Sequence, residues 1–386
     1  MGENKTSTWF VPIIMIGIIV SGSVNSLVGK MQDNTIDDFT GREFFHPYFQ
    51  TLIMFISEFG CLVAFYISLN TKDFKAELEK GRSDAVAKGL KGEIPTWVPL
   101  LPACCDITAT TLQLAALTMM DPSIYVMIRG GIPITTAIFS VIFLKRKLYN
   151  HHVFGLSLVV VGISLVGYCQ VINQTDDEQS SNAVLGLILS LMSLIGTAAQ
   201  FIIEEKIFNK YYVHPLKMVG LEGFWGLFLS GAVITIASYI PCDPAASYCN
   251  MGYFENPQNA IHDILHHNDL LFYIILGMIS LGFLNFFGVS CTKYVSSLAR
   301  SVVMITVPVV VWVYSLLFMD GKFYWLQLLG FIILVTGNFI YQEVLEIPGM
   351  NQNTKKAIAK RQQLLESQAN DDKDDASSDS EPTSQV

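Results

Sequence analysis

The sequence predicts an all-α integral membrane protein of ten transmembrane helices, arranged as two inverted five-helix repeats. Three observations predict it. The chain of 386 residues is 51% hydrophobic and only 15% charged, against the roughly 25% charge usual in soluble domains. Ten apolar segments follow one another along it, each near the ~20 residues that cross a bilayer. Residues 175 positions apart repeat one another in type.

The segments run over roughly 9–29, 48–69, 97–119, 123–144, 152–172, 183–203, 216–240, 270–291, 296–318 and 323–344. A helix satisfies its own backbone in lipid, so helices are the reading for all of them. Residues 9–29 are too long and too weakly flanked for a cleaved signal peptide, and more spans follow. The third and fourth spans are separated only by Met119-Met120-Asp121-Pro122, and each carries an ionisable residue, Asp106 and Arg129. A charge inside a lipid-facing span costs roughly 2.5–3.5 kcal/mol, so such residues face a partner or a water-filled cavity.

Loop charge sets the topology. With both termini cytosolic, 20 Lys and Arg fall on the cytosolic side and 3 on the other, as the positive-inside rule requires. The Asn173-Gln174-Thr175 glycosylation sequon then lies outside the cytosol, and so do Cys242 and Cys249. That pair reads as a disulfide, with free thiols as the alternative. Asn4-Lys5-Thr6 matches the sequon too but is cytosolic. Cys61, Cys104, Cys105, Cys169 and Cys291 lie in or beside apolar runs and read as packing residues.

The repeat is explicit. Pro133, Ser140, Phe143, Lys147, Tyr149, Gly155 and Gly162 recur as Pro308, Ser315, Phe318, Lys322, Tyr324, Gly330 and Gly337. His46-Pro47 before the second span recurs as His214-Pro215 before the seventh. Five spans is an odd number, so the copies take opposite orientations, as in secondary transporters with a site at the repeat interface. The units are 1–172 with a charged cytosolic loop at 70–96, a linker at 173–182, 183–349 with a polar non-cytosolic loop at 241–269, and a disordered acidic tail at 350–386. A short helix is expected over 258–268, and 350–368 could form a solvated one.

Polar residues within the spans are the candidate site. Asp106, Thr110 and Gln113 share one face of the third span, and Tyr125, Arg129, Thr136 and Ser140 share one face of the fourth. Glu58 lies mid-span in the second and Glu222 in the seventh, with Gly226 and Ser230 on its face. Ser21 and Asn25 in the first span, Asn285 in the eighth and Arg300 at the opening of the ninth complete the set. Glu204, Glu205 and Lys206 close the sixth span and are expected at the interface rather than buried. Arg129, helped by Lys217, Lys293 or Arg300, could bind an anion such as a phosphate. Glu58, Asp106 or Glu222 could carry a coupling proton. The plainer alternative is that Arg129 pairs with a buried carboxylate and locks the bundle. Pro133 and Pro308 read as paired bends, or as static kinks.

Gly155 and Gly162, with Gly330 and Gly337, put small residues in register on the fifth and tenth spans, for packing or for contact with a second copy. His262, His266 and His267 have helical spacing, but solvated histidines are the default and no metal or cofactor is expected. The glycine spacing of Gly22 to Lys30 is wrong for a phosphate loop, and no soluble-enzyme motif or nucleic-acid-binding surface is visible.

Longer blocks carry a family likeness: SGSVNSLVGK (21–30), HPYFQTLIMFISEFGCLVAFY (46–66), LPACCDITATTLQLAALTMM (101–120), IRGG with FSVIFLKRKL (128–148), EEK with VHPLKMVGLEG (204–223) and LNFFGVSCTKYVSSLAR (284–300). The chain resembles the drug/metabolite transporter superfamily (EamA-like), in its solute carrier 35, nucleotide-sugar-transporter-like branch. It is most similar to the F-type, adenine-nucleotide-translocase-binding-protein-like members. The resemblance covers about 9–345. It implies a ten-helix bundle of two inverted repeats, a central cavity from spans 1–4 and 6–9, and peripheral fifth and tenth spans that often make dimer contacts. It also implies a nucleotide-like or related anionic substrate and an endomembrane location (Golgi, lysosome or vacuole). The expected function is therefore secondary transport of a small polar anion. A proton-coupled exporter of weakly basic solutes and a non-transporting scaffold acting through 70–96 and the tail are the alternatives.

Overall fold

The structure is a computed structural model that describes residues 10–33, 35–36, 41, 44, 46–117, 128–172, 183–242, 249, 251–318, 323–341, 344–345 and 347. Tyr125, Asn173, the linker and the tail lie outside these residues. The described helices are α1 (Phe10–Asp33), α2 (Pro47–Ser68), α3 (Lys72–Ala87), α4 (Leu100–Leu117), α5 (Ile132–Leu144), α6 (Asn150–Ile172) and α7 (Ala183–Lys210). They continue as α8 (Pro215–Ala237), α9 (Pro257–His266), α10 (Asn268–Tyr294), α11 (Ser297–Met304), α12 (Val307–Phe318) and α13 (Trp325–Tyr341).

Seven stretches are long and apolar enough to cross a membrane: α1, α2, α6, α7, α8, α10 and the run Ser297–Phe318. Shorter apolar helices occupy Leu100–Ala116, Ile132–Leu144 and Trp325–Tyr341. Large apolar side chains stand on the outside, Ile16 at 59% exposure and Phe228 at 64%, as a surface in contact with lipid tails allows and a water-facing one does not. The protein is an all-α, multi-pass membrane protein.

The helices pack in four main pairs: α6 with α13, α2 with α8, α4 with α7, and α1 with α10. Glycine makes the first pair close. A Cβ on Gly162 would stand 2.7 Å from the Gly330 carbonyl oxygen, and one on Gly155 2.8 Å from that of Gly337. The two glycine stripes thus face each other within one chain.

Two apolar runs are not continuous helices. Ile128 and Arg129 are helical, Gly130 and Gly131 form a turn, and α5 starts only at Ile132. Arg129 therefore does not share a helix face with Thr136 and Ser140, contrary to the sequence expectation. Two glycines weaken a helix, and Pro133, second in α5, has no N–H to offer. A second break, at Ile305 and Thr306, separates α11 from α12, with Pro308 again second in the new helix. Both prolines thus sit in a first turn rather than mid-helix. Asn338 on α13 repairs the second break: its Nδ2 donates to the Val302 carbonyl at 3.3 Å and to Thr306 Oγ1 at 2.5 Å. Neighbouring side chains commonly satisfy backbone freed this way in membranes.

The two ends are structured as well. The 70–96 segment carries α3 and is tied down beyond it. Lys91 N donates to the Lys210 carbonyl at 3.0 Å, Tyr212 N donates to that of Lys91 at 2.8 Å, and Ile94 is buried among Phe208 and Val213. At this end His214 caps α8, its Nδ1 accepting from Leu216 N at 3.3 Å. Burial and the neighbouring Lys293 push the His214 imidazole down to about 4. At the opposite end Cys242 and Cys249 are joined by a disulfide. There Glu255, fully buried, accepts from Tyr48 N and Phe49 N in the first turn of α2 and lies 2.6 Å from His46 Nδ1.

Candidate functional site

A cavity of about 370 Å³ lies between α1, the Ile128–Ile132 break, α6, α7, α10, α11, α12 and α13. Its walls are mostly apolar, with Ile132, Ile163, Leu284 and Phe331 among them. A few polar side chains interrupt them: Asn25, Ser26, Arg129, Thr197 and Ser301. Apolar walls with a few placed polar groups are the usual make-up of a small-molecule site. Arg129 lines the cavity just before the turn at Gly130 and Gly131, and it is exposed. Asn25 is oriented by Ser280, whose Oγ donates to Asn25 Oδ1 at 3.3 Å. Pro308 lines the cavity beside the second break.

Phe201 forms part of the lining and divides the cavity from a charged layer. The Arg300 guanidinium lies 4.1 Å from the centroid of its ring, within range of a cation–π contact. Arg300 Nη1 pairs with Glu204 Oε2 at 2.6 Å, both side chains buried. Next to it, Glu205 Oε1 accepts from Arg146 at 2.6 Å, while Glu205 Oε2 accepts from Ser297 N at 2.7 Å and Ser297 Oγ at 2.5 Å. The carboxylate thus holds the start of α11, where helix N–H groups lack partners. Glu204 and Glu205 are therefore buried and bonded, not interfacial as the sequence suggested; Lys206 alone is exposed. The reason is that α7 runs on to Lys210 and packs against α11 where the sixth span was expected to end.

The other predicted residues gather in this second layer. Glu58 accepts from Asn285 Nδ2 at 2.6 Å. Asp106 accepts from Thr110 at 3.5 Å on α4. Glu222 is buried on α8. Asn25, Arg129 and Pro308 are thus brought to the cavity, and Glu58, Asp106, Glu222, Asn285 and Arg300 to the layer beside it. Gln113, half-buried on α4, and Asn285 are not among the residues lining the cavity. Sequence reasoning missed Ser26, next to Asn25, as well as Thr197 and Ser301. The signal for the last two was weak: Thr197 lies one turn before Phe201, and Ser301 directly follows Arg300. No group of three His, Cys, Asp or Glu able to hold a metal ion occurs among the described residues.

Apolar helices wrapped around a cavity that holds an arginine and several hydroxyls are the build of a multi-pass membrane transporter. Residues 11–236 match the nucleotide-sugar transporter family. Solute carrier family 35 member F6 of human is 34% identical, over 84% of this chain and 86% of its own. Its mouse counterpart is 33% identical over the same shares. An uncharacterized protein of Schizosaccharomyces pombe is 30% identical, over 87% of this chain and 98% of its own. One solved crystal structure, 12% identical, superposes with a TM-score of 0.56 over 86% of this chain and 96% of that one, a likeness of fold alone. The chain belongs to the solute carrier 35, nucleotide-sugar-transporter-like family, and is a transporter rather than an enzyme.

Proposed function

We propose that the protein moves a small polar anion, nucleotide-like in character, across an endomembrane by alternating access. The observation that carries this reading is the cavity with Arg129 and Asn25 on its wall. A guanidinium matches a phosphate in bidentate fashion, and Asn25, Ser26, Thr197 and Ser301 supply neutral partners for hydroxyls or a base.

In this reading ten membrane helices form two inverted repeats: α1, α2, α4, the Ile128–Leu144 run and α6, then α7, α8, α10, the α11–α12 run and α13. Helix packing supports it. Exchanging each helix with its counterpart turns the α1–α10 contact into α7–α4, and leaves α2–α8 and α6–α13 as they are. The α5–α7 contact likewise becomes that of α11 and α12 with α1. The bias of 20 basic loop residues to 3 supports cytosolic termini. The pairs Glu204–Arg300 and Glu205–Arg146 would then close the cytosolic end, and would have to open for exchange. Any homodimer through the fifth and tenth membrane helices would use faces that α6 and α13 turn away from each other.

Uptake into proteoliposomes of purified protein tests the reading, with labelled nucleotides, nucleotide sugars and organic cations, with and without a trans counter-substrate. Saturable, trans-stimulated uptake of an anion is expected, reduced at least tenfold by Arg129→Ala (about 1.4 kcal/mol per tenfold). Unchanged affinity and rate in that variant, at equal protein level, would remove Arg129 from the site. Uptake of cations alone would overturn the anionic substrate.

A further inference from the structure

In the charged layer, the carboxyls of Glu58, Glu222, Asp106 and Glu204 are gathered around the Arg300 guanidinium. Glu58 on α2 and Glu222 on α8 lie where these helices cross closely: a Cβ on Gly223 would stand 2.6 Å from the Glu58 Cβ. Both carboxyls are buried, at 4% and 5% exposure. The charged groups around them are Asp106 from α4, Glu204 from α7 and Arg300 from α11. From α10 comes the Asn285 amide, bonded to Glu58 Oε1, and the Cys61 thiol stands near Glu58 on α2 itself. The guanidinium bonds to Glu204. Glu58 Oε2 and Glu222 Oε1 have no hydrogen-bond partner.

An ionised carboxylate buried with an oxygen left unbonded and no counter-charge of its own is strongly disfavoured, and such a group takes up a proton instead. A metal ion is the other way to neutralise it, but no group able to hold one occurs among the described residues. A proton needs no such convergence. We propose that Glu58 and Glu222 form a proton-binding site, each carrying a proton in the arrangement seen here, and that release of a proton from this pair to water is coupled to the transport cycle. The pair lies where α2 of the first repeat crosses α8 of the second, so movement between the repeats changes its burial. On hydration either acid gives its proton to water and is left as a carboxylate. The coupling half of this proposal rests on the transport reading above; the proton-binding half does not.

The test has two arms. Infrared spectroscopy of the purified protein at neutral pH is expected to show a carboxylic-acid carbonyl band, diminished in Glu58→Gln and in Glu222→Gln and largely lost in the double variant. Absence of the band in the unmodified protein, or its persistence in the double variant, overturns the proton site whatever is transported. In proteoliposomes, the ratio of labelled nucleotide-sugar flux with a pH gradient to flux without one is expected to exceed unity several-fold. In Glu222→Gln that ratio falls to one, whatever its basal rate. A ratio of one in the unmodified protein overturns the coupling while leaving transport intact. No flux of any labelled anion overturns the substrate class, and the infrared arm still decides the proton site. If a Gln variant fails to fold, the band and the ratio of the unmodified protein remain decisive.

Discussion

Arg300 and Glu204 face each other at 2.6 Å with both side chains buried, on helices α11 and α7 that both come from the second half of the chain. Removing one partner leaves a buried charge unanswered, which costs about 3–5 kcal/mol. Arg300→Ala and Glu204→Ala are both expected to lower the unfolding temperature in detergent sharply. Arg146→Ala beside them should cost less, because the Arg146 side chain is 35% exposed and Glu205, though buried, keeps its bonds from Ser297 N and Oγ. Equal shifts from Arg300→Ala and Arg146→Ala would mean that burial does not set the strength of these two pairs.

Asn338 gives a second prediction. It donates to the Val302 carbonyl and to the Thr306 hydroxyl across the break between α11 and α12. The residue 175 positions earlier is Ile163, and it lies over bare backbone, where a Cβ on Gly130 would meet it at 2.3 Å. The first break is thus filled by an apolar side chain and the second by an amide. Asn338→Leu leaves the freed carbonyl without its donor and is expected to cost about 1–3 kcal/mol. Thermal unfolding in detergent reads this. A variant as stable as the parent would mean that the Val302 carbonyl finds another donor.

Hydrophobicity is a sum over many residues, so each apolar segment was legible without knowing its partners, and each contains a described helix. His46-Pro47 and His214-Pro215 marked helix starts because proline suits a first turn. Their chemistry was not legible. His214 caps its own helix, whereas His46 lies against Glu255, more than two hundred residues away. The breaks were hidden for the opposite reason. Gly130-Gly131 followed by Pro133 is a stop signal, but the apolar run continues through it, and span length outweighed it. The burial of Glu204 and Glu205 depends on where Ser297 starts α11, a tertiary fact with no local trace. Asn25 and Arg129, which line the cavity, were legible as candidates because a polar side chain inside a membrane needs a reason.

Acid is expected to act on His214. Its imidazole lies near 4 rather than the ordinary 6.5, held down by burial and Lys293. Between those values the unfolded chain binds a proton that the folded chain does not, so stability rises with pH across the window and is lost as pH falls through it. The geometry agrees in sign, since protonation would take the acceptor that Nδ1 offers to Leu216 N. Unfolding temperature measured across this window should fall more gently toward acid in His214→Asn, which keeps a capping group but cannot titrate. Identical slopes in the two proteins would place the acid sensitivity on other groups.

The glycine contact between α6 and α13 makes the last prediction. Gly162 and Gly330 each point at the other's backbone: a Cβ on Gly162 would sit 2.7 Å from the Gly330 carbonyl oxygen, and one on Gly330 2.9 Å from that of Gly162. Backbone cannot swing aside as a flexible side chain can, so the helices must separate and the contacts along both are weakened. Overpacking of this kind costs about 1–3 kcal/mol, and Gly162→Leu should approach the upper end. Gly60 on α2 is the internal control, since a Cβ there meets nothing within 4 Å. Gly60→Ala should be neutral or stabilising by up to about 1 kcal/mol through helix propensity. Unfolding temperatures of the two variants in one detergent make the comparison. If Gly162→Leu proves as stable as Gly60→Ala, the two helices do not depend on close backbone approach.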